Sequence, residues 1–278
     1  MGGRGSSSST LRRQSGVLTA RQMPPQPNPP QPPQPAPQPV ADQIPDANNT
    51  PVKPSALDQI TKMTDDQLAQ LVRQSRSVDM PNHLNDVNDQ TQKFVYAAGL
   101  NEKPQVLDDA SFSAFLKANG MSQRDVIARS IGGGNYTVGN TRYNLTPRQV
   151  ADMMMTSRLN YVGGKHGGQL YGAGTYFART GGAATGYGGQ NALTAQAVLN
   201  PKTTKAISLS SLQRQVSAFQ RSHPKFAAAV GSFRTGGNGN ASIYALAMGY
   251  NVITDGNNGQ GGYVNVIDRS ALVYRKIP

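Results

Sequence analysis

Cysteine is absent from the 278-residue sequence, which excludes disulfide bonds, thiolate catalysis and cysteine-bound zinc. Histidine is scarce, and His83, His166 and His223 lack the spacing of metal ligands. No apolar run approaches the roughly 18 residues that a membrane span needs, and the N-terminus lacks the apolar segment of a signal peptide. We therefore expect a soluble protein without a membrane span, kept in a cytoplasm unless it is packaged or carried out by something else.

Acidic residues are also few. Fifteen Asp and Glu stand against 27 Lys and Arg, the net charge is +12, and Glu102 is the only glutamate. This balance favours contact with nucleic acid, anionic surfaces or phosphate-bearing ligands, and it is equally typical of general solubility and non-specific adhesion. The sequence has no RNP-like or zinc-finger pattern that would indicate sequence-specific nucleic-acid binding.

Proline and glycine are concentrated at the start of the chain. Residues 1–22 are rich in Gly and Ser, and residues 23–45 are dominated by Pro and Gln. Such a segment has almost nothing to bury, and its prolines favour an extended polyproline II conformation. We predict a disordered arm over residues 1–50, which is either a tether that docks on a partner or a passive linker.

A small helical region is predicted over residues 51–121, because apolar residues recur there at helical spacing between capping signals. The first predicted helix spans 65–74 and follows the capping box of Thr64 and Gln67. The second begins after Asp89 and ends at Gly99, and the third begins after Asp108 or Asp109 and ends at Gly120.

Residues 122–278 alternate short strand patterns with helices and many turns, which indicates an α+β domain rather than a regular βαβ repeat. The predicted strands are 125–131, 175–178, 195–199, 205–209, 251–254, 263–267 and 271–274, and the predicted helices are one opening at Thr146–Pro147, 211–221 and 241–248.

The densest glycine-rich stretch is 163–178, and it ends in Tyr171-Gly-Ala-Gly-Thr-Tyr-Phe-Ala178. Glycines let a backbone approach a ligand closely, and glycine beside aromatic rings suits a flat ring held by stacking. The stretch matches neither a P-loop nor a dinucleotide-binding fingerprint. On composition alone, a flexible surface loop is the other interpretation.

Residues 171–178 resemble the Tyr-Gly-x-Gly-x-Tyr-Phe-Ala stretch of the ADP-ribosyltransferase superfamily, and 126–130 resembles the first core strand of its arginine-bearing branch. The resemblance covers roughly 120–275 and implies a split β-sandwich with flanking helices and an NAD cleft between two small sheets. NAD would be the substrate.

The resemblance also implies roles for individual residues. Arg129 would hold the NAD phosphates, where the planar fork of arginine suits phosphate oxygens, and the main chain of Ser130 would hold the nicotinamide amide. Gly172 and Gly174 would give access to the ring. Tyr176 and Tyr187, eleven residues apart, would form its aromatic walls, and the motif adds Tyr171 and Phe177 as candidate NAD contacts.

The sequence departs from that family in one respect. Active members place a glutamate on a late strand, where it stabilises the positive charge that develops on the ribose, but no glutamate follows Glu102. Asp255 and Gln260 are the candidate catalytic residues, and Asp268 is interpreted as a cap or a partner of Arg269. Without that glutamate, the cleft either turns NAD over slowly, acts only on a special acceptor, or is catalytically inactive.

The opening Met-Gly-Gly-Arg-Gly-Ser-Ser-Ser resembles the start of phage minor head proteins, some of which end in such a domain. Two functions follow from the two resemblances. One is transfer of ADP-ribose to a host protein or nucleic acid, and the other is a non-enzymatic virion role in which the basic arm binds capsid or portal proteins or packaged DNA. The implied location is the virion, the host cytoplasm or both.

Overall fold

The computed structural model describes residues 55–78, 90–100, 102–138, 141–156, 174–179, 191–236, 239–255 and 262–278, all within the unit Val52–Pro278. The predicted arm lies outside these residues. The described chain is mixed α+β, as the sequence predicts, with a large mixed sheet and helices. None of the described helices is long and apolar enough to span a membrane.

The helices begin where side chains can bond free backbone amides. Thr64 and Gln67 form the predicted capping box, and the Asp108 carboxylate, rather than that of Asp109, accepts from the Ser111 amide at 2.7 Å. Asp89 lies outside the described residues. The helices are α1 Ala56–Ile60, α2 Asp65–Ser75, α3 Gln90–Ala97, α4 Asp109–Ala118, α5 Pro147–Thr156, α6 Leu209–Ser222, α7 Pro224–Val230 and α8 Ala241–Ala247, with 3-10 turns at Gln123–Asp125 and Arg269–Ala271.

Every predicted strand is present, and its ends differ from the prediction by at most two residues. Two features of the strands were not predicted: a short strand inside the predicted helical region, and an antiparallel pair that begins at Gly134. Helices α1 and α7 were not predicted either. The strands are β1 Gln105–Leu107, β2 Ile127–Ile131, β3 Gly134–Val138, β4 Thr141–Leu145, β5 Thr175–Ala178, β6 Leu193–Leu199, β7 Ala206–Ser208, β8 Val252–Thr254, β9 Tyr263–Val266 and β10 Leu272–Arg275.

Eight of these strands form one sheet in the order β1-β10-β6-β2-β5-β9-β8-β7, and β3 pairs with β4 separately. The expected two small sheets are therefore joined. The join is narrow, because β2 and β5 are registered only at Ala128 and Ala178 within the described residues, whereas β2 and β6 are registered along five residue pairs. We call this junction between the four-stranded halves the seam.

Apolar side chains cover both faces of the sheet. Helix α5 packs on one face, against residues such as Ile127, Phe177 and Leu272. The opposite face is covered in two places: α4 packs over β6 and β10, and α1, α2, α3, α6, α7 and α8 contribute to a larger cluster over β7, β8 and β9. Residues from the predicted parts 51–121 and 122–278 thus share one core.

Candidate functional site at the seam

The residues singled out in the sequence fall into two groups. Tyr171, Gly172, Tyr187 and Gln260 lie outside the described residues, and the structure describes the other six. Five of these six lie on β2 or on β5 and the residue before it, which are the two strands that meet at the seam; they are Arg129, Ser130, Gly174, Tyr176 and Phe177. Asp255 follows β8.

Arg129 and Tyr176 meet across the seam. The Arg129 Nη1 atom donates a hydrogen bond to the Tyr176 carbonyl oxygen at 3.0 Å, although the two residues are 47 positions apart. The Arg129 side chain is partly buried. Its guanidinium therefore links the two halves of the sheet at the point where their backbone pairing is narrowest.

Successive strand side chains point to opposite faces, and registered neighbours share a face. Since Ala128 is registered with Ala178, Arg129 shares the α5 face with Phe177, whereas Ser130 shares the other face with Tyr176. The motif positions that the resemblance assigns to one ligand thus divide between the two faces of the sheet at the seam.

Phe177 belongs to the core. It is 1% exposed, and its ring centroid lies 5.9 Å from that of Tyr274 in a tilted arrangement. Burial raises the pKa of the Tyr274 phenol, and the positive charges of Arg269 and Arg129 oppose that rise. Packing against α5 and Tyr274 thus accounts for the Phe177 ring without a ligand.

Gly174 is required by close packing. A Cβ atom at this position would lie 2.0 Å from the Asn265 Oδ1 atom and 2.9 Å from the Val266 carbonyl oxygen. Asn265 is a fully buried polar residue on β9, and its amide lies 3.5 Å from the Ser242 hydroxyl. The resemblance assigns Gly174 to ring access, but the close contact with Asn265 by itself already favours glycine at this position.

Ser130 and Tyr176 border a strip on the face opposite α5, between the two clusters of helices. The strip contains Ala128 and Ala178 as its buried floor and the partly or fully exposed side chains of Ser130, Tyr176 and Thr194. Thr194 is registered with Ser130 on β6. A small-residue floor beside a tyrosine ring and hydroxyl groups suits a flat polar ligand.

Asp255 participates in the β8–β9 connection. Its carboxylate accepts a hydrogen bond from the Tyr263 amide at 2.9 Å, and its own amide donates to the Tyr263 carbonyl oxygen at 3.3 Å. This arrangement fixes the carboxylate at the end of β8. Asp268 caps the turn at Arg269–Ala271 by accepting from the Ser270 amide and hydroxyl at 3.0 and 2.7 Å, as the sequence indicates.

Sequence reasoning gave no site role to three buried polar residues of the sheet and its turns. Asn265, Arg269 and Tyr274 are each at most 1% exposed, and the Arg269 Nη1 atom donates to the Met154 carbonyl oxygen at 2.9 Å. The available signal was a polar side chain inside an otherwise apolar strand or turn, which is uncommon in a core unless it is bonded or functional.

The described residues contain no group of three or more His, Asp or Glu side chains that could hold a metal ion. Comparison of the chain with protein-family models, with curated proteins and with solved structures finds no match.

Proposed function

We propose that the chain carries an ADP-ribosyltransferase-like domain of the split β-sandwich type, which binds NAD at the seam. The observation that carries the proposal is the narrow junction between the two four-stranded halves, with Arg129 donating across it to the Tyr176 backbone. A split sheet with an arginine strand beside the Tyr-Phe strand agrees with what the resemblance implies.

In this proposal the strip beside Ser130 and Tyr176 receives the nicotinamide ring. The tyrosine supplies a stacking face, and the backbone polar groups near Ser130, where the paired strands diverge, supply hydrogen bonds. The Arg129 side chain leaves the sheet on the α5 face, whereas the strip lies on the opposite face. Arg129 therefore reaches the phosphates only if the bound NAD crosses the seam from one face of the sheet to the other. The acceptor would be a host protein or nucleic acid.

The test is a calorimetric NAD titration of the full chain, followed by a nicotinamide-release assay on the same sample. We expect binding at one site per chain and its loss in Tyr176→Ala. Tyr143→Ala is the matched control, because Tyr143 is 46% exposed on β4, away from the seam pairing. Undiminished NAD binding by Tyr176→Ala would contradict the site.

A second function is a non-enzymatic virion role, with the arm bound to capsid or portal proteins. The observation in its favour is the Asp255 carboxylate, which already accepts from the Tyr263 amide, together with the lack of a glutamate after Glu102. NAD binding without nicotinamide release supports this function. Release that falls in Asp255→Asn supports the transferase and gives Asp255 a role in the reaction.

A further inference from the structure

The strip opposite α5 contains a second aromatic side chain, to which the resemblance gives no role. Tyr263, the first residue of β9, is registered with Ala178, and Ala178 is in turn registered with Ala128. Since registered neighbours share a face of the sheet, the Tyr263 side chain lies on the same face as the strip. It packs against the two alanines of the floor and is partly exposed.

The same row of registered residues ends at Gln196 on β6, which is the partner of Ala128. Neighbouring strands lie roughly 4.8 Å apart, so the main chains of Gln196 and Tyr263 are separated by about 14 Å. Only the methyl groups of Ala128 and Ala178 rise from the sheet between them. A ring can therefore approach the floor of the strip closely, with a longer side chain on each side.

Tyr176 and Tyr263 lie on the same side of this floor. Tyr176 precedes Ala178 by two residues on β5, so it is the diagonal neighbour of Tyr263 on the strip face. Diagonal neighbours lie about 7–8 Å apart, which is within reach of aromatic side chains. Both tyrosines also pack against the helix cluster over β7, β8 and β9, so they line one side of the strip together.

The main chain that carries the Tyr263 ring is held from both neighbouring strands. The Asp255 carboxylate at the end of β8 accepts from the Tyr263 amide at 2.9 Å, and the Asp255 amide donates to the Tyr263 carbonyl oxygen at 3.3 Å. On the other side, β9 is registered with β5 along four residue pairs. Binding then orders little further backbone, which lowers the entropic cost of holding a ligand.

The opposite side of the strip is polar. Ser130, Thr194 and Gln196 lie there on β2 and β6, and each is partly or fully exposed. The Gln196 Oε1 atom accepts from the Arg275 guanidinium at 3.1 Å, which orients the side-chain amide. A strip with one aromatic side and one polar side suits a flat ring that carries a polar group on one edge.

We propose that Tyr263 is a second aromatic contact of the ring bound in the strip, beside Tyr176. The ligand class is an aromatic carboxamide, whose polar edge faces Thr194 and Gln196. The identification of this ring as nicotinamide rests on the proposed function, whereas the contact itself follows from strand pairing. The resemblance gives the second stacking role to Tyr187, which lies outside the described residues.

The test compares three probes on the full chain: NAD by calorimetry, and benzamide and cyclohexanecarboxamide by ligand-observed NMR. Benzamide has a flat aromatic ring, whereas cyclohexanecarboxamide carries the same amide on a puckered saturated ring. We expect NAD and benzamide to bind, and the saturated amide to bind about three- to tenfold more weakly than benzamide. That factor corresponds to the usual contribution of aromatic pairs beyond their buried area.

Variants of Tyr263 identify the contact. Tyr263→Leu should weaken the binding of NAD and benzamide about three- to tenfold and reduce the preference for benzamide over the saturated amide. Tyr263→Phe retains the ring and should retain both properties. Tyr143→Leu is the matched control, because Tyr143 is 46% exposed on β4, outside the eight-stranded sheet. Urea denaturation verifies that each variant folds.

A second measurement is available if Tyr263→Leu does not fold. The sequence contains no tryptophan, so Tyr263→Trp places a single indole at the strip and keeps an aromatic ring there. Its emission should change with NAD concentration and saturate at one site per chain. Tyr143→Trp should show no saturable change.

The outcomes separate this inference from the proposed function. Undiminished NAD and benzamide binding by Tyr263→Leu, or a Tyr263→Trp emission that does not respond, would overturn the aromatic contact while NAD binding stands. Benzamide binding that depends on Tyr263 in a chain that binds no NAD would support the contact and contradict the proposed function. A chain that binds neither NAD nor benzamide would overturn both.

Discussion

At the scale of single residues, Gly174 shows how close packing fixes an amino acid beside the candidate site. Gly174→Ala would place a Cβ atom 2.0 Å from the Asn265 Oδ1 atom, and relief of such a contact requires side-chain and backbone shifts. We expect a loss of about 1–3 kcal/mol in the free energy of unfolding, typical of overpacked cores, measured by urea denaturation.

The cause of that loss is tested in a double-mutant cycle with Asn265→Ala. If the clash with the asparagine is responsible, the two substitutions should be coupled by at least about 0.5 kcal/mol, as residues in direct contact usually are. Strictly additive effects would show that the strain arises elsewhere, for instance at the Val266 carbonyl oxygen.

Two buried tyrosines give a matched comparison. Tyr244 and Tyr274 are both 0% exposed, but the Tyr244 hydroxyl donates to the Gly231 carbonyl oxygen at 2.7 Å and accepts from Gln220 at 2.9 Å. The Tyr274 hydroxyl makes no hydrogen bond with any residue that the structure describes. Removal of a bonded hydroxyl leaves buried groups unsatisfied, whereas removal of an unbonded one does not.

We therefore expect Tyr244→Phe to lower the free energy of unfolding by about 1–3 kcal/mol, and Tyr274→Phe to leave it unchanged or to raise it slightly. Urea denaturation of both variants measures the difference. A Tyr274→Phe variant as unstable as Tyr244→Phe would show that the Tyr274 hydroxyl has a partner.

At the scale of elements, the buried cap of the Arg269–Ala271 turn should give the protein a distinctive pH dependence. Burial raises the pKa of Asp268, which is 4% exposed, although the Ser270 hydroxyl and amide oppose the rise. The folded state then binds the proton more tightly than the unfolded state. Stability linked to this group therefore falls as the pH rises from about 4, the unfolded value, through the raised pKa.

Asp268→Asn keeps a capping side chain without the ionisation, so wild type should lose stability relative to this variant as the pH rises from about 4 to 7. Asp58→Asn is the control of opposite sign, because hydrogen bonds from Lys205 and Ser55 lower the pKa of the exposed Asp58. Wild type should there gain stability relative to the variant as the pH rises from about 2 to 5, through the lowered folded pKa and the unfolded value of about 4. Parallel pH profiles for wild type and Asp268→Asn would refute this account of the cap.

The same elements show which features a sequence can predict. The starts of α2 and α4 were predicted because Thr64 and Asp108 bond amides only three residues away, so the signal is local. The β3–β4 pair was missed because the predicted strand ended at Ile131, directly before three glycines, and glycine favours turns over strands. The order of strands, and the contact between Gly174 and Asn265, depend on pairing between residues distant in sequence, for which local patterns carry no information.

At the scale of the whole molecule, the helices of residues 55–100 share a core with the later part of the chain. The prediction of a small helical region followed from a change of pattern along the sequence, and Leu68, Phe94 and Leu100 of that region belong to the same cluster as Ile253 and Ile267. The resemblance implied that Arg129 and Tyr176 contact one ligand, but the hydrogen bond between them was not predicted, because spacing along the chain gives no such proximity.

The last prediction concerns residues 1–50 and follows from where the buried apolar residues lie along the chain. The buried hydrophobic residues found in the described parts run from Leu57 to Tyr274, whereas residues 1–50 are mainly Gly, Ser, Pro and Gln and offer little apolar area to bury. Deletion of residues 1–50 should therefore change the Tm by less than about 2 °C, which corresponds to less than about 1 kcal/mol for a domain of this size. Differential scanning calorimetry of the full and shortened chains measures the change, and a drop several times larger would show that the arm contributes to the folded core.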